Sequence, residues 1–182
     1  MREPGMRGKM TSAVVLGAGV SGLSVALSLL GRGHAITVLE RGEAGRESSW
    51  AGGGILSPLL PWDYPEPLTR LALRSMAAYA DWVADIEARS GLGAEYWRCG
   101  MHVLSPAHPE QAMAWCRAHG LAAGQPDTLP DSIWLPDIAQ ARNPRLIAAL
   151  REAVLKLGGV IHTHCAGEAV MAREGRVQAI QT

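Results

Sequence analysis

Three glycines near the amino terminus have the spacing of a loop that binds the phosphates of a dinucleotide. They occur as Gly17-x-Gly19-x-x-Gly22, directly after the apolar run of residues 13–16. Gly17 permits a tight turn, and Gly19 lets the backbone approach a pyrophosphate without a Cβ in between. Gly22 lets the following helix lie close to the strand, and the start of that helix offers N–H groups and partial positive charge to the phosphates. The pattern predicts a dinucleotide site, with a ligand-free glycine turn as the alternative.

A carboxylate stands at the end of the next apolar run. Residues 35–39 read Ala-Ile-Thr-Val-Leu, and Glu40 follows them. In a βαβ unit this position brings a carboxylate within reach of ribose hydroxyls. The alternative is that Glu40 is a solvated carboxylate at a strand end that binds no ligand. Strand, helix and terminal carboxylate occur together, which favours the dinucleotide interpretation.

A second glycine cluster, Gly52-Gly53-Gly54, interrupts an apolar stretch between Trp50 and Ile55. Consecutive glycines in such a setting indicate backbone that approaches another group very closely or that takes a positive φ. A flexible linker is the alternative, but the flanking apolar side chains favour burial. The cluster therefore predicts a loop that contacts a ligand.

Helices and strands must position these loops. Apolar residues spaced three or four apart predict a first helix over Val20–Leu30, which Gly33 ends. The same spacing predicts a long helix from Pro67 to about Ser90. Residues 41–50 are predicted to form a loop. Asn143 as N-cap and Pro144 at N1 begin a later helix whose buried face is Leu146, Leu150, Ala153 and Leu157. The other predicted elements are a helix over Pro109–His119, strands at Tyr96–Cys99, Met101–Leu104, Ser132–Leu135 and Val160–Cys165, and a hairpin of Ala169–Arg173 with Val177–Ile180.

Composition narrows the function classes. Seventeen basic and seventeen acidic residues cancel, so nucleic acid and membrane surfaces are not expected as partners. Three cysteines without a CxxC motif indicate reduced thiols and a cytoplasmic location. Residues 10–31 carry no charge and could suggest a signal peptide or an anchor, but three glycines divide them into a strand and an amphipathic helix. His162 and His164 share one face of a predicted strand, yet no further ligand pair suits a metal, so no metal is expected.

Several stretches together resemble one family. The chain is similar to the FAD-dependent D-amino-acid oxidase superfamily, and within it to the glycine oxidases of thiamine biosynthesis. The resemblance is carried by Gly17–Gly22, by Leu39-Glu40-Arg41, by Ser48-Ser49-Trp50-Ala51-Gly52-Gly53-Gly54-Ile55-Leu56-Ser57-Pro58 and by Ala141-Arg142-Asn143-Pro144-Arg145-Leu146. It implies an α/β fold: a Rossmann-like FAD/NAD(P)-binding fold with a parallel sheet and the start of an antiparallel substrate domain.

The resemblance implies FAD as the cofactor and assigns its contacts. Gly17, Gly19 and Gly22 would hold the pyrophosphate with the amides of Val20 and Ser21, and Glu40 would bind the ribose. Arg41 would lie near the adenine, and Gly167 would offer backbone atoms to it. Ser48 and Ser49 would bind phosphate or ribityl groups, and Gly53, Gly54 and Ile55 would pass close to the isoalloxazine. The implied reaction is the oxidation of glycine or a small amine to an imino acid with release of hydrogen peroxide.

The resemblance also implies missing parts, because members of the family are roughly twice as long. We therefore expect a truncated chain that corresponds to an amino-terminal half, with no catalytic residue assigned and no turnover on its own. A missing carboxyl-terminal half or another copy of the chain is the expected partner. The expected domains are a disordered segment 1–10, an FAD-binding core 11–90, a partial substrate domain 91–140 and a return to the FAD-binding domain over 141–182. An NAD(P)-binding or non-catalytic dinucleotide module is the alternative function.

Overall fold

A computed structural model describes residues 12–57 and 60–182. The predicted disordered segment 1–10 and Pro58 lie outside the described residues. Two compact units are present, and the domain boundaries expected from the sequence stay a prediction. The described residues of the first unit are 12–52, 86–93 and 143–182, and those of the second are 53–57, 60–85 and 94–142.

The helices are α1 Val20–Leu30, α2 Ser48–Ala51, α3 Glu66–Ser90, α4 Pro109–Ala118 and α5 Asn143–Lys156, with a 3₁₀ turn at Pro61–Asp63. The strands are β1 Ser12–Leu16, β2 Ala35–Leu39, β3 Tyr96–Arg98, β4 Met101–Leu104, β5 Ser132–Leu135, β6 Ala139–Ala141, β7 Val160–His162, β8 Ala169–Arg173 and β9 Arg176–Gln181. Within this described part, no helix is both long enough and apolar enough to span a bilayer.

The first unit is built on a parallel sheet with the order β1-β2-β7. Val14 of β1 lies beside Thr37 of β2, and Thr37 lies beside Val160 of β7. Helices α1 and α5 contact each other and bury their apolar stripes, which include Leu23 and Leu150. This arrangement confirms the predicted α/β fold with a parallel sheet, and it brings the carboxyl ends of β1 and β2 to the same edge.

Helix α1 ends as its sequence predicts. Gly33 has a φ of +86°, and the N–H of the following His34 donates to the carbonyl of Leu29 at 3.1 Å. A residue with a side chain is strained at this φ, so the glycine allows the chain to turn back into β2.

The second unit contains two antiparallel strand pairs, β3 with β6 and β4 with β5. Its core packs one face of α4 against the β4–β5 pair. The buried core residues are Val103, Ala112, Cys116, Ile133, Leu135 and Ile138. These pairs agree with the antiparallel segment expected after the long helix.

Three predictions about single elements differ from the structure by more than one residue at an end or in the buried face. Residues 48–51 form α2, although the sequence predicts a loop over residues 41–50. Strand β7 ends at His162 and not at Cys165, because His164 takes a φ of +53° that no extended strand can accommodate. Leu157 lies beyond the end of α5 and is 39% exposed, so it does not belong to the buried face. Strand β6 and the 3₁₀ turn were not predicted.

Asn143 also differs from its expected role. Helix α5 begins at Asn143, and the side-chain Nδ2 donates to the carbonyl of Gly52 at 3.0 Å. The amide side chain therefore connects α5 to the end of α2. This contact joins residues 91 positions apart, which no local capping rule could have predicted.

Candidate dinucleotide site

At the turn between β1 and α1, the backbone conformation and the packing of the protein itself account for the glycines at positions 17 and 22. Gly17 has a φ of +95°, and its N–H donates to the carbonyl of Leu39 at 2.7 Å. A Cβ at Gly22 would overlap the carbonyl oxygen of Gly17. The glycines thus hold α1 against the turn and direct its amino terminus towards the carboxyl ends of the strands.

The protein leaves the amino terminus of α1 accessible to an anion. Gly19 is the N-cap with an extended backbone, no side chain caps the helix locally, and the first turn contains no acidic residue. Amides in the first turn of a helix have no acceptor within it, and the helix dipole adds partial positive charge there. Ser49 Oγ accepts one of these amides, the N–H of Val20, at 3.0 Å.

Helix α2 places this serine hydroxyl beside the amino terminus of α1, where the sequence predicts a phosphate. A Cβ at Gly19 would come 3.0 Å from Ser49 Oγ, so the absence of a side chain at Gly19 leaves room for the hydroxyl. Because Ser49 Oγ only accepts in this hydrogen bond, its O–H is still available as a donor.

Glu40 is buried, with 8% of its surface exposed, and both carboxylate oxygens accept backbone amides. Ala18 N–H donates to Oε2 at 2.7 Å, and Gly42 N–H donates to Oε1 at 2.9 Å. Burial raises the pKa of Glu40, but these two amides and the charge of Arg41 outweigh it, so the pKa lies below the ordinary value. A charged carboxylate is thereby held rigidly at the end of β2, with lone pairs left for further donors.

Two arginines near Glu40 are engaged by carboxylates of the same loop. Arg41 makes a bidentate pair with Glu47, with Nη2 at 2.7 Å and 2.8 Å from the two oxygens. Arg46 Nε lies 3.1 Å from Glu43 Oε2, and its guanidinium lies 4.0 Å from the ring centroid of Trp50. Both pairs are solvent-exposed, so they orient the guanidinium groups more than they stabilise the fold.

These groups surround one cavity of about 130 Å³. Its volume suits a phosphate-sized group with part of a sugar rather than a whole dinucleotide. The lining residues are Gly17, Gly19, Glu40, Glu43, Gly45, Arg46, Glu47, Ser48 and Ser49. Five of the predicted site residues thus line the cavity, and Val20 contacts Ser49 at its border.

Other predicted site residues lie away from this cavity. Ser21 is exposed on α1, and Arg41 is exposed beside Glu47. Gly167 packs against Leu16 and Ile180, so that a Cβ there would come 2.8 Å from Leu16 Cδ2. The predicted adenine contact of Gly167 therefore stays a prediction.

Gly53, Gly54 and Ile55 belong to the second unit, where their backbone runs beside β6. The carbonyl of Gly54 accepts the N–H of Ala141 at 2.9 Å, and Ile55 forms an isolated antiparallel bridge with Gln140. Gly54 has a φ of +74°, whereas a Cβ at Gly53 would meet no atom of the described part of the chain within 4 Å. The backbone conformation therefore favours a glycine at Gly54, and the described residues do not demand one at Gly53.

Sequence reasoning missed the groups that hold Glu40 and Arg41. The amides of Ala18 and Gly42 carry no sequence signal, because any residue except proline offers an N–H. Glu47 is one of several acidic residues in the loop, and its pairing with Arg41 follows from the path of that loop. In the part of the chain that the structure describes, no group of three potential ligands could hold a metal ion, and all three cysteines are free thiols.

Comparisons with known proteins agree with this geometry. A family described as FAD dependent oxidoreductase matches residues 12–182. A glycine oxidase of Pseudomonas putida is 35% identical over 93% of this chain and 50% of its own length. A bifunctional ThiO/ThiG protein of Synechocystis is 32% identical over 94% of this chain and 27% of its own length.

A solved structure shows the same fold. The crystal structure of a glycine oxidase from Bacillus cereus superposes with a TM-score of 0.81 at 22% identity, covering 94% of this chain and 51% of that one. The chain spans about half the length of the Pseudomonas putida relative and of this structure.

Proposed function

The chain belongs to the FAD dependent oxidoreductase family, and we propose that the cavity at the amino terminus of α1 holds a phosphate group of FAD and part of its ribose. The observation that carries this proposal is that a positively polarised helix terminus and a negatively charged carboxylate line the same cavity. The open helix terminus attracts phosphate, and the carboxylate of Glu40 accepts ribose hydroxyls. Ser48 and Ser49 add hydroxyl groups at the phosphate end of the same cavity.

The site fits FAD better than a phosphorylated nicotinamide dinucleotide. NADP carries a 2′-phosphate, and an arginine directly after the strand-end carboxylate could bind it. Arg41 stands at that position, but its guanidinium is already bidentate to Glu47. With Glu40 charged beside it, a 2′-phosphate would meet repulsion, whereas the free 2′-hydroxyl of FAD would meet an acceptor.

We propose further that the chain provides the FAD-binding part of a glycine oxidase-like enzyme, linked by that resemblance to thiamine biosynthesis. Bound FAD would supply the acceptor for the hydride of the substrate Cα, and oxygen would then take up the electrons as hydrogen peroxide. The described residues bind and orient the cofactor, and none is assigned to the substrate. Gly53, Gly54, Ile55 and Gly167 stay predicted FAD contacts, and the cytoplasmic location stays a prediction.

A titration of the purified 182-residue chain tests cofactor choice. We expect FAD and ADP to raise the melting temperature, and we expect NADPH at the same concentration to have a smaller effect. ADP contains the groups that the cavity is proposed to hold, so it should act without the flavin ring. Stronger stabilisation by NADPH than by FAD would contradict the proposal.

A peroxide assay with glycine separately tests the proposal that the chain belongs to a glycine oxidase-like enzyme. We expect no turnover by the 182-residue chain, because no substrate-binding residue is assigned to it. Peroxide release from glycine by a chain joined to a carboxyl-terminal half like that of the Pseudomonas putida relative would support the oxidase function. Release of peroxide by the 182-residue chain alone would show that the substrate site lies within these residues.

A further inference from the structure

A second cavity of the first unit has a different chemical character from the dinucleotide cavity. Its volume is about 400 Å³, within the range of small-molecule sites. It shares Glu43 and Arg46 with the dinucleotide cavity, but its other lining residues come from Ala44 of the same loop, from α2, from α5 and from the turn after β7. None of the groups assigned to FAD, whether by the proposal or by the resemblance, lines it.

One wall is a single face of α5. Pro144, Ile147, Ala148 and Arg151 line the cavity, and their spacing of three, four and seven residues puts them on the same side of the helix. Ile147 is only 4% exposed and forms an apolar base, while Arg151 lies one turn further along. Across from α5, Trp50 of α2 adds an aromatic surface that is 40% exposed.

Three basic side chains line the same space. Arg151 has no hydrogen-bond or ion-pair partner among residues 12–57 and 60–182. His164 is presented by the turn in which its own φ is +53°, and its N–H donates to the carbonyl of Gly42 at 3.0 Å. Arg46 is held between Glu43 and the ring of Trp50. Glu43 is the only acidic lining residue, and Arg46 neutralises it, so Arg151 provides an uncompensated positive charge.

We propose that this cavity binds a small organic anion with a flat apolar body and one phosphate or carboxylate group. The planar guanidinium of Arg151 suits bidentate binding of such an anion, with Thr163 and His164 as further polar partners. Ile147 and Trp50 would cover the apolar body. The proposal goes beyond FAD binding, since Arg151, Ile147 and Trp50 line this cavity and do not line the dinucleotide cavity.

Calorimetric titration of the 182-residue chain with phenyl phosphate tests the site. Saturating ADP is present to occupy the dinucleotide cavity. We expect 1:1 binding of phenyl phosphate that Arg151→Gln weakens at least tenfold, and we expect inorganic phosphate to bind more weakly than phenyl phosphate. Arg74→Gln is the matched control, because Arg74 is an exposed arginine on α3 outside this cavity.

A second variant keeps the test valid if Arg151→Gln disturbs the fold, which circular dichroism would show. Ala148 is exposed on α5, and Ala148→Glu would place a carboxylate in the cavity and should also remove binding. No binding of phenyl phosphate, equal binding by Arg151→Gln and the unmodified chain, or equal affinity for inorganic phosphate would each overturn the proposal. Displacement by ADP that is the same in Arg151→Gln and the unmodified chain would assign the probe to the dinucleotide cavity and would overturn the proposal as well. If ADP fails to bind while the effect of Arg151→Gln remains, the FAD proposal fails and this one stands.

Discussion

At Gly22 an added Cβ would overlap the carbonyl oxygen of Gly17, whereas at Gly53 it would meet no atom of residues 12–57 and 60–182 within 4 Å. Gly22 lies at the start of α1 in the motif predicted to bind a dinucleotide, and Gly53 lies in the loop predicted to contact a ligand. Gly22 belongs to the first unit, where helix and turn already pack closely around it. Gly53 belongs to the second unit, where its position is open.

The difference separates two reasons for having a glycine. At Gly22 the contact between α1 and the turn excludes a side chain whether or not a cofactor is bound. At Gly53 the described residues leave room for a side chain, so a group that excludes one must lie outside them, as bound FAD would. Stability and cofactor affinity should therefore respond differently to the same substitution at the two sites.

The largest effect is expected for Gly22→Ala. The added methyl group cannot fit without moving α1 away from the turn, and overpacking of this kind costs about 3 kcal/mol or more. The free energy of unfolding, measured by urea denaturation, should fall by this amount. Gly53→Ala is the matched control and should change it by less than about 0.5 kcal/mol. An equal loss in both variants would remove the distinction between the two loops.

Glu40→Ala should produce the next largest effect, on FAD affinity. A hydrogen bond to a charged group contributes about 1.5–3 kcal/mol, so FAD should bind about ten- to a hundredfold more weakly. Glu40→Gln keeps acceptor capacity on one oxygen and should lose less. Titration calorimetry of the three chains measures the order, with Glu110→Ala, an exposed substitution in the second unit, as the control. Unchanged affinity in Glu40→Ala would mean that the carboxylate only supports the amides of Ala18 and Gly42.

Gly53→Ala tests whether this position contacts FAD, which Gly22→Ala cannot test. If the loop passes close to FAD as the resemblance implies, the methyl group should lower FAD affinity by about tenfold, which is 1.4 kcal/mol. ADP affinity should stay unchanged, because ADP lacks the isoalloxazine. A parallel titration with FAD and ADP separates the two ligands. Equal FAD affinity in Gly53→Ala and the unmodified chain would remove Gly53 from the predicted contacts.

The smallest effect concerns pH. The folded-state pKa of Glu40 lies below its ordinary value of 4.5, so its ionised form stabilises the folded chain. This contribution is complete above the unfolded-state pKa and is lost as the pH falls through the folded-state pKa. Between neutral pH and about pH 3, the unmodified chain should therefore lose more stability than Glu40→Gln does. Identical pH profiles of the unfolding free energy would show that the Ala18 and Gly42 hydrogen bonds do not favour the charged form.

Local patterns were sufficient where structure depends on neighbours in the sequence. The spacing of apolar residues predicted α1 and α3 within one residue of their observed bounds, and Gly33 takes the positive φ expected after α1. The hairpin of β8 and β9 turns at Glu174 and Gly175, both with positive φ, as expected for a two-residue connection. Strand β6 was missed because Ala-Gln-Ala has no strand pattern, and it becomes a strand only by pairing with β3.

The candidate site divides in the same way. The amino-acid sequence by itself determined the glycine turn, the helix that follows it and the position of Glu40 at the end of β2, because each depends on residues a few positions apart. The tertiary structure decided which groups complete the site, since Ser49 reaches Val20 from 29 positions away and Ala18 reaches Glu40 from 22. It also decided that Arg41 pairs with Glu47, and that Arg151 of α5 lines a cavity with His164. Such contacts form only when folding brings distant segments within hydrogen-bonding distance, and no local spacing records them.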